Sequence, residues 1–152
     1  MLEFIKKLEY YCSYQERCHQ EVIQKLFLIN CPLEHHDSVI SSLIENNYLN
    51  EERFASIFTQ SKLHQKQWGK IRLLHELKQR KISIRNIQTA LKNIDEEEYH
   101  QIFNFHSEKI WQTIIEKNKI KKLKKFSDYW VRKGFEVDLI YQKGKELWET
   151  NK

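Results

Sequence analysis

Only three glycines and one proline interrupt 152 residues, and that scarcity restricts what the chain can become. Glycine and proline are the residues that break helix interiors and set tight turns, so a chain nearly without them is expected to run through long helices. The apolar residues agree. They recur at helical spacing in one segment after another: Val22, Ile23 and Leu26; Phe54, Ile57 and Phe58; Trp68, Leu73, Leu74 and Leu77; Ile87, Leu91 and Ile94. After Asp95 the pattern continues through Tyr99, Phe103, Phe105 and Ile110, then Ile120, Leu123, Phe126 and Trp130, then Val137 to Leu147. Polar helix starters precede several of these stripes. Ser13 with Glu16 three residues on has the form of a capping box, Asn50 stands before Glu51 and Glu52, and Ser83 opens another segment.

The helix stops repeat. Asn30-Cys31, Lys81-Ile82 and Gly134-Phe135 are spaced 51 and 53 residues apart, and each joins a left-handed C′ residue to an apolar one that folds back on the helix end. Four residues before each stop lie Leu26, Leu77 and Trp130; eight before lie Val22, Leu73 and Phe126. Lys81 is a poor left-handed residue, so the middle stop is the weakest of the three. The expected fold is all-α: a tandem array of three three-helix, helix-turn-helix-like repeats at 1-49, 50-94 and 95-152, forming an elongated, curved molecule.

Charge is not shared evenly along this array. Residues 51–94 hold ten Lys or Arg against three acids, whereas residues 1–50 hold four against seven. A basic middle points to a polyanion or an acidic protein surface as partner. Lys66, Lys70, Arg72, Lys78, Arg80, Lys81 and Arg85 are the candidate contacts there. The competing account is a solvated helix face, and an i,i+4 pair with Glu76 would explain Arg72 without any partner. A second set is the run from Lys117 to Lys125, with six lysines in nine residues; Lys121, Lys122, Lys124 and Lys125 are its densest part. Such a run suits a nucleic-acid backbone with marked salt dependence, or simply a soluble helix start. Trp68 and Tyr10-Tyr11 are able to stack on bases, although core packing suits Trp68 better.

Enzyme chemistry has no visible anchor. With glycine only at 69, 134 and 144, neither a Walker loop nor GxGxxG is present, and there is no HExxH or nucleophile elbow. Cys12, Cys18 and Cys31 lack metal-ligand spacing, and His35-His36 near Cys31 reads better as a polar helix start beside a buried thiol than as a metal site. No cofactor and no metal are expected. Hydrophobic content of 40% with 31% charged residues, and no apolar run of membrane length, place the chain among folded cytoplasmic proteins.

The order of these residues resembles the RecX family, bacterial modulators of the RecA recombinase. The family's middle repeat opens with two acids, Arg, Phe and Ala, seen here as Glu51-Glu52-Arg53-Phe54-Ala55. A glycine follows, with Arg-Ile three and four positions on and Glu-Leu at seven and eight; Gly69, Arg72, Leu73, Glu76 and Leu77 fall on those positions. Ser13, Glu16, Lys25 and Leu26 match the first repeat. Two positions depart from the pattern: Lys81 replaces the usual glycine before the closing Ile, and Cys12 a basic residue. The third repeat matches in pattern rather than in letters. Arg53, Phe54, Ala55, Trp68, Gly69, Leu73 and Leu77 are read as the scaffold motif.

The resemblance implies a non-catalytic regulator with no membrane partner: a monomer that lodges in the groove of the RecA–DNA filament and contacts RecA protomers. It also implies contact with single-stranded DNA, within the filament or directly. By this account the protein opposes filament growth and so lowers RecA ATP hydrolysis, strand exchange and the coprotease activity behind the SOS response. The alternative is a stand-alone DNA-binding helix-turn-helix module acting without RecA.

Overall fold

A computed structural model describes residues 1–151, which form nine α-helices and one short 3-10 turn, with no strand among the described residues. The helices are α1 (Leu2–Tyr14), α2 (His19–Leu28), α3 (His36–Glu45), α4 (Glu51–Lys66), α5 (Lys70–Gln79), α6 (Ile84–Lys92), α7 (Glu96–Thr113), α8 (Lys119–Lys133) and α9 (Val137–Thr150). None is long and apolar enough to cross a membrane among the described residues. The all-α class expected from the scarcity of breakers is what the chain adopts.

Local chemistry explains where these helices begin. Asn50 Oδ1 accepts the Arg53 N–H at 2.9 Å at the start of α4. Ser83 Oγ accepts the Asn86 N–H at 3.3 Å ahead of α6. Asp95 and Asn118 do the same for Glu98 and Lys121, each at 3.0 Å. Each satisfies one of the N–H groups that a helix start leaves without a partner. The Ser13 capping box does not form. Ser13 sits in the last turn of α1, where its hydroxyl donates to the Glu9 carbonyl at 2.7 Å. The box form falls five residues later, with the Glu21 carboxylate accepting the Cys18 N–H at 3.1 Å.

The three expected stops are all present. Asn30, Lys81 and Gly134 have φ of 60°, 60° and 90°. The N–H of the next residue reaches back to Leu26, Leu77 or Trp130 at 2.9, 3.1 and 3.2 Å, the longer bond of a Schellman motif. Lys81 accepts the strain that its β-carbon brings to the left-handed region, and Ile82 is buried in return.

The packing gathers the chain into two compact units, one of residues 1–58 with 77–90 and one of 59–76 with 91–152, so that α4 and α5 supply residues to both. In the first, Leu8, Cys12, Val22, Leu26, Cys31, Val39, Leu43 and Leu49 form a cluster where α1, α2 and α3 meet. Burial pushes the Cys12 thiol up to about 11, which leaves it a core residue rather than a nucleophile. His36 is buried beside Cys31, its Nε2 at 3.0 Å from the Cys31 carbonyl. The second unit is held by aromatics: Tyr99 stacks on Phe135 at 4.9 Å, and Phe103 lies 4.9 Å from Trp130. Helical spacing overstated the core at some positions. Ile57, Phe105 and Ile120 are exposed, Ile120 at 78%.

Candidate functional site

Gly69 is the point from which the second unit's basic surface is built. Its N–H donates to the Lys133 carbonyl at 2.7 Å, and the Ile71 N–H donates to Gly134 at 3.0 Å. The first amides of α5 thereby meet the last carbonyls of α8, each satisfying what the other helix end lacks, with the two dipoles head to tail. The contact demands glycine on both sides. A β-carbon on Gly69 would stand 2.4 Å from the Gly134 oxygen, and one on Gly134 would stand 2.3 Å from the Arg72 β-carbon. The third amide of this start, Lys70 N–H, donates to the Tyr99 hydroxyl at 2.9 Å, and that hydroxyl donates onward to Glu136 at 2.5 Å. Burial first, then the Glu136 carboxylate, pushes the Tyr99 phenol up, so it stays protonated.

This clasp gathers cations that are far apart in sequence. The Arg72 guanidinium lies 4.1 Å above the Trp68 ring, and its Nη1 donates to the Arg132 carbonyl at 3.3 Å. Glu76 stands 3.7 Å from Arg72 Nε, as the i,i+4 spacing suggested. Lys133 Nζ donates to the Lys66 carbonyl at 2.8 Å. Burial, then the charges of Arg72 and Lys66, holds the Lys133 ammonium below its ordinary value. Trp68 is half-buried as a platform under cations rather than a core residue, with Lys62 Nζ also 5.3 Å from its ring. Sequence reasoning missed Lys133 and Arg132. The available signal was their place directly before the Gly134 stop, where cations complement a helix end.

The remaining candidates divide. Lys70 is engaged structurally, ion-paired with Glu96 and 4.6 Å over the Tyr99 ring. The run on α8 is dispersed over several partners: Lys122 covers Trp111 at 4.3 Å, Lys124 pairs with Asp128 at 2.8 Å, and Lys125 with Glu116 at 3.5 Å. The Asn118 N–H, helped by Lys125, holds the Glu116 carboxyl below its usual range. Lys121 is exposed. In the first unit Lys78, Lys81 and Arg85 are exposed, and the Arg80 guanidinium lies 4.7 Å over the Phe58 ring.

The scaffold residues are placed as building parts. Phe54, Ala55, Leu73 and Leu77 are buried. Arg53 reaches Glu16 at 2.7 Å and the carbonyls of Asn47 and Tyr48 at 3.0 and 3.3 Å, bracing the end of α3. Glu51 accepts from Asn86 at 2.6 Å and ties the start of α4 to that of α6. No group of three His, Cys, Asp or Glu side chains among the described residues is arranged to hold a metal ion.

Comparison with known proteins bears on the family and the fold. Residues 50–91 match the family model described as RecX, second three-helix domain. A regulatory protein RecX from Lactobacillus johnsonii is 36% identical over 89 residues, 59% of this chain and 33% of the relative. One from Lactobacillus gasseri is 34% identical over the same lengths. The match thus spans about a third of the length of these curated relatives. The crystal structure of a regulatory protein RecX superposes with a TM-score of 0.84 at 19% identity, covering 95% of this chain and 72% of that one. RecX from Lactobacillus salivarius gives 0.78 at 21% identity, covering 97% and 98%. These structures share the fold, and the resemblance to the RecX family drawn from the ordered motifs is borne out.

Proposed function

We propose that this chain is a RecX-type regulator that binds the groove of the RecA–DNA filament and opposes its growth, lowering RecA ATP hydrolysis, strand exchange and coprotease activity. It works as a cytoplasmic monomer and performs no chemistry of its own. The observation that carries the reading is the match of residues 50–91 to the RecX second three-helix domain. The cluster of Lys66, Arg72 and Lys133 adds physical support, because its cations repel one another and suit an anionic surface. Sub-stoichiometric protein should slow RecA-dependent ATP hydrolysis on single-stranded DNA, most strongly while filaments are growing. Hydrolysis at full speed with the protein in excess would sink the proposal.

The basic cluster by itself also favours a second reading, a DNA-binding module that needs no RecA. A salt titration with bare DNA and with filaments separates the two. Steeply salt-dependent binding to bare duplex, with no preference for filaments, selects the second.

A further inference from the structure

A basic, tyrosine-lined groove opens in the first unit, in a stretch of sequence whose net charge is negative. Its open volume is about 630 Å³. Residues Lys6, Tyr10 and Tyr14 of α1 are spaced i, i+4, i+8 and share one helix face, with Lys7 and Tyr11 beside them. Tyr10 and Tyr14 are 74% and 76% exposed, so their rings are not serving a core.

Tyr11 is used differently. The Arg17 guanidinium lies 3.7 Å from its ring centre, and Arg17 Nε donates to the Tyr11 carbonyl at 3.1 Å. Lys25 Nζ approaches the same ring to 5.3 Å. Glu21 stands 3.7 Å from Arg17 and offsets part of its charge, which makes Arg17 a brace for the groove floor. Lys6 and Lys7 are exposed, and none of the described residues that line the groove is acidic.

We propose that this groove binds single-stranded nucleic acid, with Tyr10 and Tyr14 stacking on successive bases and Lys6, Lys7 and Lys25 meeting the phosphates. The two rings lie about 6 Å apart along the helix axis, a separation that lets neighbouring unstacked bases each find a ring. Exposed aromatic faces bordered by cations suit a strand that offers planar bases and repeated charge together. A duplex keeps its bases stacked and cannot use the rings. An acidic peptide would use the lysines but leave the tyrosines idle. This surface contains none of the RecA-contact candidates, and the proposal depends on neither reading above.

The test uses the full chain and a short oligothymidylate carrying 5-iodouracil. Photocrosslinks mapped by mass spectrometry are expected on Tyr10 or Tyr14. Tyr10→Ala with Tyr14→Ala should weaken binding about tenfold or more, whereas Phe at both positions should retain it. Lys6→Gln, Lys7→Gln and Lys25→Gln together should lower the slope of log affinity on log salt by about two. Circular dichroism checks that helix content is kept. Crosslinks confined to other residues, or unchanged affinity in the tyrosine-to-alanine variant, overturn the proposal. So does competition by polyglutamate as effective as that by unlabelled oligothymidylate, which would assign the groove to an acidic protein. RecA ATPase is not read here, so failure of this test leaves the regulatory proposal standing and the reverse also holds.

Discussion

The second unit carries two basic surfaces that arise in opposite ways. At the start of α8, six lysines fall within nine residues, yet Lys122, Lys124 and Lys125 turn to Trp111, Asp128 and Glu116. At its end, Lys133 and the Arg132 carbonyl meet Arg72 and Lys66 from 60 and 67 residues away. The dense run spreads its charge over aromatic and acidic neighbours, while the assembled cluster brings together cations far apart in sequence, with Glu76 beside Arg72 as a partial offset. Charge density along a sequence therefore says less about where cations gather than the backbone geometry that decides which of them meet. Exposed pairs such as Lys124 with Asp128 are weak, so the contrast is one of degree and open to measurement.

The most damaging way to test it is to remove the geometry. Gly69→Ala puts a β-carbon against backbone atoms that cannot swing aside, and a loss of about 3 kcal/mol is expected in urea denaturation. Gly144→Ala is the control. Its β-carbon meets the Leu123 Cδ2 methyl at 3.2 Å, a side chain able to shift, and alanine favours the helix interior. It should stay within about 1 kcal/mol of the parent. Equal losses at both glycines would show that the clasp is not special.

A smaller effect separates the two surfaces by function. Arg72→Glu with Lys133→Glu should weaken binding to RecA filaments about tenfold, or roughly 1.4 kcal/mol. Lys121→Glu with Lys124→Glu should change it less. The opposite order would move the contact to the start of α8. The smallest effect lies in pH. The folded-state value for Lys133 is depressed, so the unfolded chain binds more protons between that value and the ordinary 10.5. Stability should therefore rise as pH increases through that window, and Lys133→Met should flatten the rise. A rise of the same size in the variant would place the repulsion elsewhere.

Legibility in the sequence followed the distance over which each feature is decided. Helix stops are decided within six residues, and Asn30, Lys81 and Gly134 all adopt the left-handed backbone their surroundings demanded, even where lysine suits it poorly. Helix starts at Asn50 and Ser83 were equally plain. Ser13 misled because a capping pattern is also an ordinary helical pattern. Glu16, its supposed partner, is claimed by Arg53, 37 residues away. The candidate site was half legible for the same reason. Arg72 and Lys66 stood out by local charge, but their meeting with Lys133 requires two backbones to touch at Gly69 and Gly134. Nothing in the spacing of either glycine announces the other. Trp68 shows the limit from another side: an aromatic at core spacing became a half-buried surface under Arg72 and Lys62.

The clasp also sets an order of assembly during synthesis. Every residue of the first unit has been made once Ala90 is added, whereas residues 59–76, already translated, belong to a unit whose remainder lies at 91–152. The amides of Gly69 and Ile71 wait for carbonyls that emerge only with Lys133 and Gly134. Contacts at such sequence separation form late and slowly. The start of α5, with Trp68 just before it, therefore keeps the amides of Gly69 and Ile71 without their final partners until the end of α8 arrives to close it.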